Sequence, residues 1–180
     1  MSLSTSITKD QLMTALGAFL RAIVPTGVQV VELQFNRVPL PVDPFVGVTA
    51  MLQSKLSTPR DANEPGTTNP GNLATVTSTE WRVQLDCCGV GSQDTALLIS
   101  NSVFTEWASQ QFKDSGVDMQ PLYATEPKNG TFINSEEQFE ERWILEFVAQ
   151  FNPIIRTPQD FALELQAELV EVDSTYPPGA

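Results

Sequence analysis

The sequence contains no histidine. That removes the commonest general base and the commonest metal ligand, and it excludes Ser-His-Asp and Cys-His catalysis within the chain. Only two cysteines occur, Cys87 and Cys88, and they are adjacent. Two thiolates without histidine cannot complete a four-ligand zinc site unless carboxylates help. Neighbouring side chains of a strand point to opposite faces, so the pair reads as two reduced thiols, one facing each way. A strained vicinal disulfide is the alternative. Basic residues are also scarce, 10 against 22 acidic ones, for a net charge of −12. A protein that grips DNA phosphates needs a basic footprint, and none is visible. The same balance disfavours anionic membrane surfaces. No apolar run approaches the ~18 residues needed to cross a bilayer. Met1 to Lys9 is polar and lacks the hydrophobic region of a signal peptide, so a product that stays in the cytoplasm of the cell making it is expected.

What is present suits one folded domain spanning 1–180. The chain has 180 residues, 41% of them hydrophobic, which is enough for a core. Leu12, Ala15, Leu16, Phe19, Leu20 and Ile23 follow the spacing of one helical face over 8–24, with Thr8 and Gln11 as a capping box. Pro25 and Gly27 stop that helix. Val28 to Phe35 reads as a strand, and Phe45 to Leu52 as a strand apolar on both faces. Trp81, Val83, Leu85 and Cys87 alternate with Arg82, Gln84 and Asp86, the pattern of a half-buried strand. Gly89-Val90-Gly91-Ser92 turns the chain into a predicted helix over 93–112. There Ala96, Ile99, Val103 and Trp107 share a stripe, and Gly116 follows its end.

Residues 119–134, with Pro121, Pro127 and Asn129-Gly130, read as turns. Trp143 to Phe151 alternates as another strand. Thr157-Pro158 fits the opening of a short helical turn. Leu163, Leu165, Ala167 and Leu169 alternate with Glu164, Gln166 and Glu168, and the phase slips at Leu169-Val170 as a bulge would make it. The tail from about 173 to 180 should lie extended. The expected fold class is α+β, with a mainly antiparallel sheet and helices on one face. The stretch 57–79, with Pro59, Pro65 and Pro70 and many Thr and Asn, shows no regular period. It reads as a long loop, either a passive surface or an arm that orders on a partner.

Residue patterns that could carry chemistry are few. Glu136, Glu137, Glu140 and Glu141 form the densest acidic cluster. Paired carboxylates can do acid–base work or hold a hard cation, but no histidine, lysine or Gly-rich ligand loop completes a site, and a solvated acidic surface explains them better. Gly89 to Ser92 lacks the lysine of a P-loop and the third glycine of a dinucleotide fingerprint, leaving a tight turn. Trp81, Trp107 and Trp143 fit core faces of the predicted elements. No catalytic residue, metal or cofactor is expected.

Several segments, spread from about residue 10 to 178, resemble the phage neck terminator, or tail-completion (tail terminator), proteins of tailed bacteriophages and prophages. They are Asn36-Arg37-Val38-Pro39; Val83 to Asp86 running into the 93–112 helix; Gln120 to Tyr123; Phe132-Ile133-Asn134 leading to Glu141-Arg142-Trp143; Phe151-Asn152-Pro153; Pro158 to Phe161; and Val172 to Pro177. The 57–79 stretch departs from the pattern. The resemblance implies a small α+β virion subunit without catalytic residues. It would form a homo-oligomeric ring, a hexamer, between head-connector and tail tube or sheath, ending tail assembly while genomic DNA passes through the lumen. Pro59, Pro65, Pro70 and the four glutamates are the candidate interface residues. Two further classes stay open beside another virion assembly role: an acidic DNA-mimic inhibitor, suggested by the charge, and a carboxylate metalloenzyme built on the glutamates.

Overall fold

A computed structural model describes residues 3–34, 41–42, 44–67, 70–130, 132–133 and 139–162. Helix α1 (Lys9–Ile23) begins where the Thr8 side chain accepts the Gln11 N–H and the Gln11 side chain reaches back to the Thr8 N–H, the predicted reciprocal cap. Its apolar stripe of Leu12, Leu16, Phe19 and Leu20 is buried. Strands β1 (Gln29–Glu32) and β2 (Phe45–Lys55) follow and pair in parallel. Next come β3 (Arg60–Glu64), β4 (Gly71–Val76) and β5 (Thr79–Cys88), then helices α2 (Ser92–Ser102) and α3 (Glu106–Asp114). The chain continues through β6 (Met119–Ala124), β7 (Lys128–Asn129), β8 (Phe132–Ile133), β9 (Phe139–Glu140), β10 (Arg142–Phe151) and β11 (Ile154–Gln159).

The main sheet has the order β1-β2-β5-β10-β6, with β7 also on β10, and every pairing except β1–β2 is antiparallel. One face of this sheet carries the core. Val46 and Val48 of β2, Trp81, Val83 and Leu85 of β5, and Leu145, Phe147 and Ala149 of β10 meet α1, α2 and α3 there. This is the α+β arrangement with helices on one face that the alternation of β5 and β10 predicted. At its centre Phe112 lies 5.1 Å from Phe19 and 5.8 Å from Phe147, ring centre to ring centre. Each such ring contributes about 1.5–3 kcal/mol by leaving water. On the opposite face Leu33 folds over β2, where a Cβ on Gly47 would come 2.3 Å from its Cδ1. Only glycine lets that side chain lie so low on the strand.

The structure corrects four expectations. The stretch 57–79 is no irregular loop: β3 and β4 pair as a hairpin, and β11 completes a three-stranded sheet in the order β11-β4-β3. Arg-Asp-Ala-Asn-Glu is a poor strand sequence by propensity, and only its partner makes it one. Thr157-Pro158 sits in β11, not in a helical turn; an edge strand tolerates proline because its outer side needs no N–H. Met119–Ala124 is a strand as well, an edge strand whose Pro121 faces Ala149 at a register shift. The alternation over 163–172 and the tail 173–180 lie outside the described residues, as does the stretch from Phe35 to Leu40.

The fourth correction concerns the predicted 93–112 helix, which is two helices. The chain leaves α2 at Val103, and Thr105 caps α3 by accepting the Ala108 N–H at 3.2 Å. An unbroken helix would continue the Ala96, Ile99, Val103 stripe to Trp107. The break resets the phase, so Ala108 and Phe112 point inward and Trp107 stays 43% exposed, against Phe19 at the margin of the core. Truncating Phe112→Ala should therefore cost about 3–5 kcal/mol, while Trp107→Ala should cost only about 1 kcal/mol. Urea denaturation of the two variants checks this, and equal losses would restore the single-helix phase.

Candidate assembly interface

The candidate residues fall in separate places. Pro59 immediately precedes β3, Pro65 immediately follows it, and Pro70 immediately precedes β4; all three are exposed. They bound the hairpin strands, where a residue without an N–H costs no ladder bond. Pro65 also lines a cavity of about 310 Å³ with Asn63, Glu64, Asn72, Gln159 and Phe161 at the hairpin tip. Glu140 lies in β9, which pairs with β8 in a separate two-stranded sheet. Glu141 follows and is half-buried, its carbonyl accepting the Gly89 N–H at 3.0 Å. Glu136 and Glu137 lie outside the described residues. The prolines thus flank strands of the hairpin sheet, Glu140 lies in a different sheet, and Glu141 lies between β9 and β10.

The Gly89–Ser92 turn is the tight turn its sequence suggests. Gly89 and Gly91 adopt φ of 91° and 81°, a region that favours glycine, and Gly91 is the cap of α2. Cys87 and Cys88 form no disulfide; Cys87 is buried toward the helices and Cys88 is half-buried on the other face.

Sequence alternation missed one feature, the burial of Asp86. Its place among Arg82 and Gln84 marks an outward polar row, yet its side chain is only 3% exposed. The Arg142 Nε donates to its Oδ1 at 2.9 Å, and the Gln84 amide donates to both oxygens at 3.1 and 2.9 Å. Arg142 and Asp86 lie on the adjacent strands β10 and β5. Removing one member of such a pair leaves a buried charge alone, at a cost of about 3–5 kcal/mol. The only sequence signal was an Asp at the end of an alternating polar row, which by itself does not separate a surface residue from a buried ion pair. This cluster ties strands together and presents no nucleophile. Among the described residues no three His, Cys, Asp or Glu side chains converge as a metal site would need, and no helix is long and apolar enough to cross a membrane.

The geometry describes an α+β domain whose surfaces include sheet edges, a three-stranded hairpin sheet and exposed apolar side chains. Residues 10–175 match the phage neck terminator protein family, and the chain belongs to that family. No curated protein sequence matches the chain. Among solved structures it is similar to one described as the sheath/tube terminator, in its extended state, of an extracellular contractile injection system, PVC. The identity is 14% and the TM-score 0.48, over 96% of this chain and 66% of that one. Family membership gives a structural role as a phage tail or neck terminator and a place in the virion. The DNA-mimic and metalloenzyme readings find no counterpart in it.

Burial, with Cys88 and Asp86 adding to it, pushes the Cys87 thiol up from 9.0 to about 12. The unfolded chain ionises this thiol first. The stabilisation is therefore complete below pH 9.0 and is lost as pH climbs toward about 12. Cys87→Ala should flatten the fall in unfolding free energy between about pH 9 and 11 relative to the parent chain, as denaturant titrations at the two pH values would show. Identical slopes would mean that Cys87 is not shielded.

Proposed function

We propose that the chain forms a hexameric ring at the junction of head and tail. In this reading it caps the tail tube or sheath, joins it to the head-connector proteins, and lets genomic DNA pass through its lumen without specific binding. Its work is structural, with no reaction and no cofactor. The observation that carries the proposal is the family match over residues 10–175. The charge of −12 fits it, because an acidic bore repels phosphates and lets DNA slide. A reconstruction of the particle should show six copies of this chain in one closed ring at the neck. A lone copy, an open array, or a location elsewhere in the particle would overturn the proposal.

Within that role the Glu136, Glu137, Glu140 and Glu141 cluster serves docking on a neighbouring protein. It is dense and local, whereas a bore needs charge spread around its circumference. Close carboxylates repel one another within the ~8–10 Å over which salt screens them, so a basic partner relieves the strain. Changing all four to Gln together should leave heads and tails accumulating unjoined, as electron microscopy of lysates would show. Normal joining with poor DNA ejection would place the cluster in the bore. Normal joining and normal infectivity would leave it a solubilising surface.

A further inference from the structure

Among the described residues, the hairpin ribbon has one side with no strand on it. Strand β1 pairs with β2 only along Phe45–Val48, and the Gln34 side chain reaches the Ala50 carbonyl at 3.0 Å. Beyond Ala50 the outer side of β2 has no strand partner among the described residues. Strand β3 continues the same side of the ribbon, because β2 faces β5 as β3 faces β4, and β3 is the outer strand of its sheet. Among the described residues an open edge therefore runs from Met51 to Glu64, interrupted between Lys55 and Arg60. Edges of this length invite another strand. Its residues fit a particular kind of guest. Met51, Leu52 and Leu56 are 55%, 52% and 46% exposed. Lys55 and Arg60 are exposed and lack a carboxylate partner among the described residues. The edge calls for an extended segment that is apolar on one side and acidic on the other.

This chain carries such a segment. In Leu163 to Asp173, leucines at 163, 165 and 169 alternate with Glu164, Gln166 and Glu168, and Glu171 and Asp173 follow, with no basic residue. Where it leaves the body matters. Strand β11 ends at Gln159 opposite Gly71, and the Phe161 ring crosses the hairpin tip, 2.9 Å from where a Cβ on Gly71 would stand. The described chain thus ends, at Ala162, beside the tip of the hairpin, the end away from the main sheet, and ten extended residues would reach about 33 Å.

We infer that residues 163–172 of one copy add as a strand to the Met51–Glu64 edge of a second copy. The inference rests on the ring reading above and deepens it. A head-to-tail ring needs one donor and one acceptor surface on each subunit, and this chain has both. Main-chain hydrogen bonds along the edge supply affinity, and the alternating side chains set the register.

Cross-linking of full-length chains in assembled particles tests it. All copies carry Cys88→Ser. One population adds Ala62→Cys on β3, and a second, mass-tagged population adds Ala167→Cys. After mild oxidation of particles built from the mixture, a disulfide-linked dimer of one tagged and one untagged chain is expected. Lys55→Glu with Arg60→Glu should lower its yield roughly threefold or more, since two exposed ion pairs become repulsions, and Glu164→Lys with Glu168→Lys should restore it. A disulfide that forms only when both cysteines sit on one chain would overturn the inference, because the segment would then cover its own edge. No disulfide in either arrangement would overturn it too. Images of the same particles keep the two claims apart: closed rings without the cross-link leave the ring standing and sink only the strand exchange.

Discussion

The structure depends on burying one face of one sheet. Strand β5 pairs with β2 on one side and β10 on the other over nearly its whole length, and its inward row of Trp81, Val83, Leu85 and Cys87 is covered completely. The three helices gather because that face exists. Leu12, Leu16, Phe19, Ile99 and Phe112 have no other large apolar surface to meet, and apolar area removed from water is the dominant favourable term in folding. The ring cluster of Phe19, Phe112 and Phe147 then joins α1, α3 and β10 at one point. Loss of packing there loosens all three elements at once.

With one face committed to the core, the opposite face and the edges are available for other work. The helix-free face carries the Asp86–Arg142 pair, which joins β10 to β5 by charge through a carboxylate that is itself buried. The hairpin sheet is different in kind. Within it only Gly71 and Ala74 are buried, and its cross-strand contacts are polar: Arg156 to Glu64 at 2.8 Å and Thr75 to Asp61 at 2.7 Å. Exposed ion pairs contribute little, so this sheet owes most of its form to backbone pairing and to its continuity with β2 and β5. A structure held in that way is a poor core and a good contact surface. That suits a subunit whose family works by ending a tail.

Parts of this were legible in the sequence because the signals are local. The Thr8–Gln11 cap and the stripe of α1 came from adjacent turns of one helix. The alternation of β5 and β10 came from the two-residue period of a strand against a single core, and the Gly89–Gly91 turn from backbone freedom. Other parts were not legible because distant chain segments decide them. Arg60–Glu64 becomes a strand only against β4, and Thr157-Pro158 becomes one only on the other side of β4. The helix break at Val103–Thr105 competes with a continuous apolar stripe, and a single capping threonine settles it. Of the candidate interface residues, Pro59, Pro65 and Pro70 flank strand ends and Glu140 lies in β9, placements that pairing between chain segments sets.

The sequence by itself determined the one-sided core, the helix at its start, the central strands and the absence of histidine chemistry, since each follows from composition or from a period within one element. Tertiary structure alone decided that Asp86 is buried against Arg142, that Trp107 stands at the margin while Phe112 takes the centre, and that the Pro-rich stretch is a paired hairpin. The physical reason is the same in all three cases. Burial of a charge, the phase of a broken helix and the pairing of a weak strand depend on partners far away in the chain, and no local pattern encodes where those partners will lie.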